Sequence, residues 1–220
     1  MRKKREPQKN IILYVEGDTE KNYFSEFKKI EKEKLKISIE KIDNMGGGGY
    51  SNFLEKLKKS APEYGYLAIF IIIDLDKINN PGEKKKLEEL INYCKTKNKQ
   101  KSIPHFLIGT NEDFEYFACC HCDNYNNSEV KKFVTQNLPY RTVDELKADK
   151  NVFHVLNRDG RSYEIANKKF SKKGNKVYIL NDYSFQKASM DLKIKNILID
   201  EEALTCKHSN IHQFFNIIFS

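Results

Sequence analysis

The stretch Leu67-Ala68-Ile69-Phe70-Ile71-Ile72-Ile73-Asp74-Leu75-Asp76 decides the fold. Residues 69–73 are apolar without interruption and have no polar face to offer water. Such a run reads as a strand buried on both faces, the kind found in parallel sheets. Asp74 and Asp76 then leave the core at the strand's C-terminal end, the edge where ligands bind in open α/β sheets. A second stretch repeats the pattern: Ile11-Ile12-Leu13-Tyr14-Val15-Glu16-Gly17-Asp18-Thr19-Glu20 is an apolar run ending in a carboxylate. If the two strands lie side by side, Glu16, Asp74 and Asp76 converge. Three carboxylates in one crevice repel one another unless a cation lies between them, and their hard oxygens suit Mg²⁺ or Mn²⁺.

Around these strands, extended and helical patterns alternate. Gly17 permits a sharp turn, and Asp18 or Thr19 is placed to cap the helix that follows. Tyr23, Phe24, Phe27 and Ile30 recur at helical spacing, which predicts a helix over residues 19–34, and the alternation over 35–42 predicts a strand. Gly46-Gly47-Gly48-Gly49-Tyr50-Ser51 precedes a helix expected over 52–59. This loop lacks the Gly-Lys-Ser/Thr ending of a phosphate-binding P-loop. It reads as a plain connector, or as backbone amides approaching a phosphate. After the strand at 67–73, Asn80-Pro81-Gly82 reads as a turn and 83–97 as a helix with Leu87, Leu90, Ile91 and Cys94 inward. A fourth strand is expected over 103–108. Strands alternating with helices predict an α/β fold with a mostly parallel four-stranded sheet flanked by helices and right-handed crossovers.

A third acidic group follows the fourth strand: Thr110-Asn111-Glu112-Asp113-Phe114-Glu115-Tyr116-Phe117. Thr110 or Asn111 is placed to cap a helix, and Glu112 and Glu115, three apart, would share a face. Acidic residues here fit dipole chemistry at a helix N-terminus. Because the helix follows a strand, they fit the same crevice equally well. His121 lies about 240° around an ideal helix from Glu115, so the two share a site only if the helix ends or bends between them. Beyond residue 124 the patterning weakens. Expected there are a short helix over 129–138, a linker over 139–151, a strand or helix over 152–156 and a helix over 161–170. A basic cluster at 168–176 reads as a phosphate-contacting surface or a solvated loop. Short apolar runs follow at 177–180 and 194–199, then a terminal helix over 210–219.

The chain has 220 residues and a formal net charge of +8, from 39 Lys and Arg against 31 Asp and Glu. A basic surface favours polyanions such as nucleic acid, although abundant Lys, Asn and Ile throughout fit a compositional bias as well. No apolar stretch approaches the ~20 residues that span a bilayer. Residues 1–8 read as a basic leader without a signal-peptide pattern, so the chain is expected in the cytosol. Cys94, Cys119, Cys120, Cys122 and Cys206 form no disulfide framework in a reducing compartment. Cys119-Cys120-His121-Cys122 is spaced too closely for the usual zinc sites and reads as buried helix cysteines.

A Glu after the first strand and Asp-x-Asp after the third resembles the Toprim fold of topoisomerases, primases and overcoming-lysogenization-defect nucleases. More closely, Glu16-Gly17-Asp18-Thr19-Glu20-Lys21-Asn22-Tyr23-Phe24 resembles the opening motif of RloB-like proteins, and Asp74-Leu75-Asp76 their second motif. The segment from Asn111 to Phe117, with His121, is similar to their Asn-x-x-Phe-Glu-x-Trp-x-x-x-His motif. Phe117 replaces the usual Trp and Cys122 the usual Phe, both apolar exchanges. The resemblance is specific over residues 10–125. It implies a Toprim-like catalytic core at 9–125, after the leader at 1–8, and a C-terminal α+β extension at 126–220 packed on that core. It also implies a role in bacterial antiphage defence beside an AAA/ABC-type ATPase, and metal-dependent cleavage of RNA or DNA. Asp74, Asp76 and Glu16 would hold Mg²⁺ or Mn²⁺, Glu16 and Glu115 would take part in catalysis, and His121 would orient Glu115 or contact phosphate. A homo-oligomer fits the sequence as well as a monomer. Two other functions fit the same residues. One is a non-catalytic Toprim-like sensor of nucleic acid or a partner. The other is a haloacid-dehalogenase-like phosphatase, although Ile78 stands where that family carries Thr or Val.

Overall fold

The computed structural model describes residues 10–47, 49–100, 102–172 and 174–220, so the leader expected at 1–8 lies outside the described residues. The two apolar stretches form β1 (Asn10–Val15) and β3 (Ala68–Asp74). The remaining elements of the first half are α1 (Asp18–Ile30), β2 (Ser38–Asn44), α2 (Gly49–Ser60), α3 (Pro81–Lys99), β4 (His105–Asn111) and α4 (Phe114–Cys119). The second half adds α5 (Val130–Asn137), α6 (Val143–Ala148), α7 (Val152–Leu156), α8 (Tyr163–Phe170), the strands β5 (Ile179–Gln186) and β6 (Asp191–Ile199), β7 (His208–Ser209) and α9 (His212–Ile218). Strands β1 to β4 are parallel, in the sheet order β2-β1-β3-β4-β7, and β5 and β6 form a separate antiparallel pair.

The sheet therefore has five strands rather than the expected four. The fifth, β7, runs antiparallel to β4 and pairs only at Thr110↔Ser209 and Asn111↔His208. Two residues are too few to show a period of two, so the pairing leaves no pattern in the sequence. Below β7 the outer edge of β4, which no strand pairs among the described residues, is completed by buried asparagine side chains. The Leu107 amide donates to Asn181 Oδ1 at 3.1 Å, and Asn181 Nδ2 donates to the Leu107 carbonyl at 2.9 Å. The Gly109 amide donates to Asn210 Oδ1 at 2.8 Å. These amides satisfy backbone groups that a longer strand would otherwise pair.

Several boundaries differ from expectation for local reasons. Gly17, not Asp18 or Thr19, occupies the N-cap of α1. Asn80 caps α3 by accepting from the Gly82 amide at 2.9 Å, so Asn-Pro-Gly opens the helix with proline in its first turn. The segment 139–151, expected as linker, contains α6, capped by Thr142. Residues 152–156 are helical.

One hydrophobic core runs through both halves of the chain. Phe70 of β3 stacks on Phe106 of β4 at 4.7 Å, and Phe214 of α9 meets Phe70 edge-on at 5.2 Å. Helix α1 packs with α6 and α7, and α2 packs with α3. All five cysteines are free thiols, and only Cys206 is exposed. Among the described residues no helix is long and apolar enough to cross a membrane.

Candidate acidic active site

From β1 the chain steps outward to β2, then returns past β1 to β3. The order of the sheet reverses between β1 and β3, which opens a crevice beyond their C-terminal ends. The parallel register Val15↔Ile72 brings Glu16 beside Asp74, and the Asp74 amide donates to Glu16 Oε2 at 3.1 Å. On the other side Asp74 is level with Thr110 of β4, so the turn into α4 borders the same crevice. Asp113 caps that helix by accepting from the Tyr116 amide at 2.9 Å, and Glu115 in its first turn is buried. Glu20, in the first turn of α1, is also buried. Its carboxylate folds back over Gly17, where an added Cβ would lie 2.7 Å from Glu20 Oε2. Gly17 is extended at φ −130°, so glycine is needed there for close approach rather than for an unusual backbone.

Desolvation is the largest influence on each of these carboxyls, and mutual repulsion adds to it. Glu115 is pushed up to about 8, with Asp113 adding and Lys147 opposing. Glu20 is pushed up to about 7, with the charge of Glu16 adding and Lys147 opposing. Asp74 is held well above the usual carboxylate range by burial and by Glu20, Glu16, Glu115 and Asp113. Glu16 is raised by burial, tempered by the Asp74 amide and Lys77. Among the described residues two cations face the cluster. Lys147 Nζ lies 3.4 Å from Glu115 Oε2, and Lys77 Nζ lies 3.8 Å from Glu16 Oε1. The end of α6 that presents Lys147 is fastened to α1, because Thr19 Oγ1 donates to the Lys147 carbonyl at 3.1 Å. Tyr50 of α2 donates its hydroxyl to the Asp74 carbonyl at 2.8 Å and fixes the strand end from the other face.

Of the residues singled out in the sequence, Glu16, Asp74 and Glu115 come together. Asp76 does not join them directly. It is exposed and lines an outer pocket with Gly49, Lys77, Asn80 and Glu83, although its charge still reaches Glu16. Glu112 and Glu115 do not share a face. Helix α4 begins only at Phe114, and Glu112 turns outward to Lys207 at 3.3 Å. His121 is fully buried behind the crevice, because α4 ends at Cys119 and the chain turns before reaching it. Its Nδ1 lies 3.0 Å from the Phe117 carbonyl, which only a protonated nitrogen can satisfy, so Nε2 accepts from the Tyr23 hydroxyl at 2.7 Å. Burial holds this imidazole down to about 4, so it is neutral at ordinary pH. Through Tyr23 it joins α1, which carries Glu20, to α4, whose first turn carries Glu115.

Among the described residues no three Asp, Glu, His or Cys side chains already stand at metal-ligand spacing. Glu16 Oε2 is engaged with a backbone amide, and Asp76 faces the outer pocket. The donor set nevertheless fits a hard divalent cation. It consists of carboxylate oxygens, hard donors crowded together and largely cut off from water, where a cation would offset both the burial and the mutual repulsion of their charges. A family model described as RloB-like protein matches residues 11–214. No curated protein and no solved structure matches the chain.

Proposed function

The chain belongs to the RloB-like protein family, and from that premise we propose that it is a Toprim-like, metal-dependent nuclease acting as an effector in antiphage defence with an ATPase partner. The observation that carries the proposal is the gathering of Glu16, Glu20, Asp74 and Glu115 at the β1/β3 reversal point, balanced among the described residues by Lys77 and Lys147. Glu16, Asp74 and Glu20 would hold Mg²⁺ or Mn²⁺ after small side-chain rotations, with Asp76 at the outer edge. A divalent cation bound there supplies charge neutralisation for a phosphodiester and acidifies a water molecule. Glu115 retains its proton near neutrality, which suits donation to the departing oxygen as the phosphorus–oxygen bond breaks. Glu16, nearer solvent and beside Lys77, is the better placed carboxylate to accept the proton of the attacking water. His121 and Tyr23 hold α1 and α4 at their spacing and touch no substrate.

A non-catalytic sensor is the second function, favoured by the Lys147 ammonium already standing against Glu115. One experiment separates the two. The protein is incubated with labelled RNA and DNA in Mn²⁺, alone and with the neighbouring ATPase, as wild type, Glu16→Gln and Asp74→Asn. Cleavage by wild type that both substitutions abolish supports the nuclease. Cleavage that survives both places catalysis elsewhere, and metal binding without cleavage of either substrate supports the sensor.

A further inference from the structure

Helix α4 separates the acidic crevice from a second cavity of opposite charge. Glu115 faces the carboxylates, whereas the next residue, Tyr116, lines a cavity of about 1100 Å³ on the helix's other side. The opposite wall is the end of α8 with Lys172 and residues 174–177, and the floor is β7. Ser209 in that floor is level with Thr110, and Thr110 is level with Asp74. The cavity thus lies two strand spacings, ~10 Å, from the crevice along the same sheet edge.

Five lysines line this cavity against a single acid, Asp123, among the described residues. Three of the five are already engaged. Lys169 donates to the carbonyls of Cys122, Asp123 and Tyr125 and forms part of the wall. Lys176 pairs with Glu202 at 2.8 Å and Lys207 with Glu112 at 3.3 Å. Lys168 and Lys172 are exposed and have no ion pair among the described residues. The volume exceeds the ~300–1,000 Å³ of an ordinary small-molecule pocket. Unpaired ammonium groups along an open groove are what tracks a phosphate backbone.

We propose that this cavity binds a single-stranded nucleic acid by its phosphates, at Lys168 and Lys172, and leads the strand along the sheet edge toward the carboxylates. The choice of ligand rests on the nuclease proposal above, whereas the cavity and its charge do not.

The test is fluorescence polarisation with short labelled oligouridine and oligothymidine in EDTA, which prevents cleavage. Wild type is compared with the double variant Lys168→Glu/Lys172→Glu. Both lysines are exposed, so the double variant should keep the melting temperature of wild type. The expected result is a loss of affinity of about tenfold or more in the double variant. The slope of log affinity against log salt should fall by about 1.4, two phosphate contacts at ~0.7 each. The proposal is overturned if the double variant binds with unchanged affinity and salt slope, or if wild type binds no strand. It is also overturned if uridine monophosphate competes as well as the strand, or if duplex is preferred. Strand binding that is intact while cleavage in Mn²⁺ is absent refutes the nuclease alone; cleavage that persists in a double variant with unchanged strand binding refutes the cavity alone.

Discussion

Replacing Glu115 by Gln keeps the size of the side chain and removes its charge. Burial and the Asp113 charge, opposed by Lys147, hold this carboxyl up to about 8 against an ordinary value of 4.5. The folded chain therefore keeps a proton that the unfolded chain releases. The contribution to stability is complete below the unfolded value, declines as pH rises and is gone once pH passes about 8. The interval from 4.5 to about 8 corresponds to ~5 kcal/mol at ~1.4 kcal/mol per pH unit. Asp74 and Glu20 share the same cluster, so the part that belongs to Glu115 alone is roughly 2–4 kcal/mol. Glu115→Gln should thus match wild type within ~1 kcal/mol near pH 5 and be more stable by roughly 2–4 kcal/mol near pH 8.5. Urea unfolding followed by circular dichroism, in EDTA at both pH values, measures the difference. A gain of equal size at the two pH values would show that packing, not charge, decides it. A wild-type stability that does not fall between them would refute the repulsive cluster itself.

Three further substitutions probe the supports of the site. Gly17→Ala puts a methyl group 2.7 Å from Glu20 Oε2. It should cost about 1 kcal/mol of stability but displace Glu20 and weaken Mn²⁺ binding by about tenfold or more, read by calorimetry against Gly17→Ala/Glu20→Gln, which should show no further loss. Tyr23→Phe removes the partner of the fully buried His121 Nε2. It should destabilise the chain by about 1–3 kcal/mol in chemical denaturation, with no change in its pH dependence near neutrality because the imidazole stays uncharged. Asn181→Leu unpairs the Leu107 amide, leaves the Leu107 carbonyl to Asn210 Nδ2 alone and should cost roughly 1–3 kcal/mol. Asn181→Asp should rescue less than half of that cost, because its second carboxylate oxygen faces the Leu107 carbonyl and Gln213 Oε1, acceptors to which it cannot donate.

The strands that carry the site were legible because burial on both faces leaves an uninterrupted apolar run, as at residues 69–73. The strand-end positions of Glu16 and Asp74 follow from that alone. Glu20 stood in the same quoted stretch, but its place in the site depends on its carboxylate folding back over Gly17, a contact that residue spacing does not encode. Asp76 was expected beside Asp74 because both lie past the strand, yet the turn after β3 sends it to the outer pocket. His121 was placed near Glu115 on motif spacing, whereas the end of α4 at Cys119 carries it into the core. Lys147 was illegible. It belongs to a six-residue helix in a segment of mixed polarity, and only the packing of α6 on α1 delivers its ammonium to Glu115. The fifth strand was hidden for the same reason: tertiary pairing, not local pattern, makes two residues a strand.

Calorimetric titration of Mn²⁺ into the metal-free chain at about pH 7, in buffers of differing ionisation enthalpy, tests the acidic crevice most directly. Glu20, raised to about 7, is partly protonated there, and a cation held by its carboxylate must expel that proton. The account predicts saturable binding whose heat varies with the buffer, reporting proton release, and its loss in Asp74→Asn. Absence of binding to wild type, or binding of equal affinity to Asp74→Asn, would contradict it.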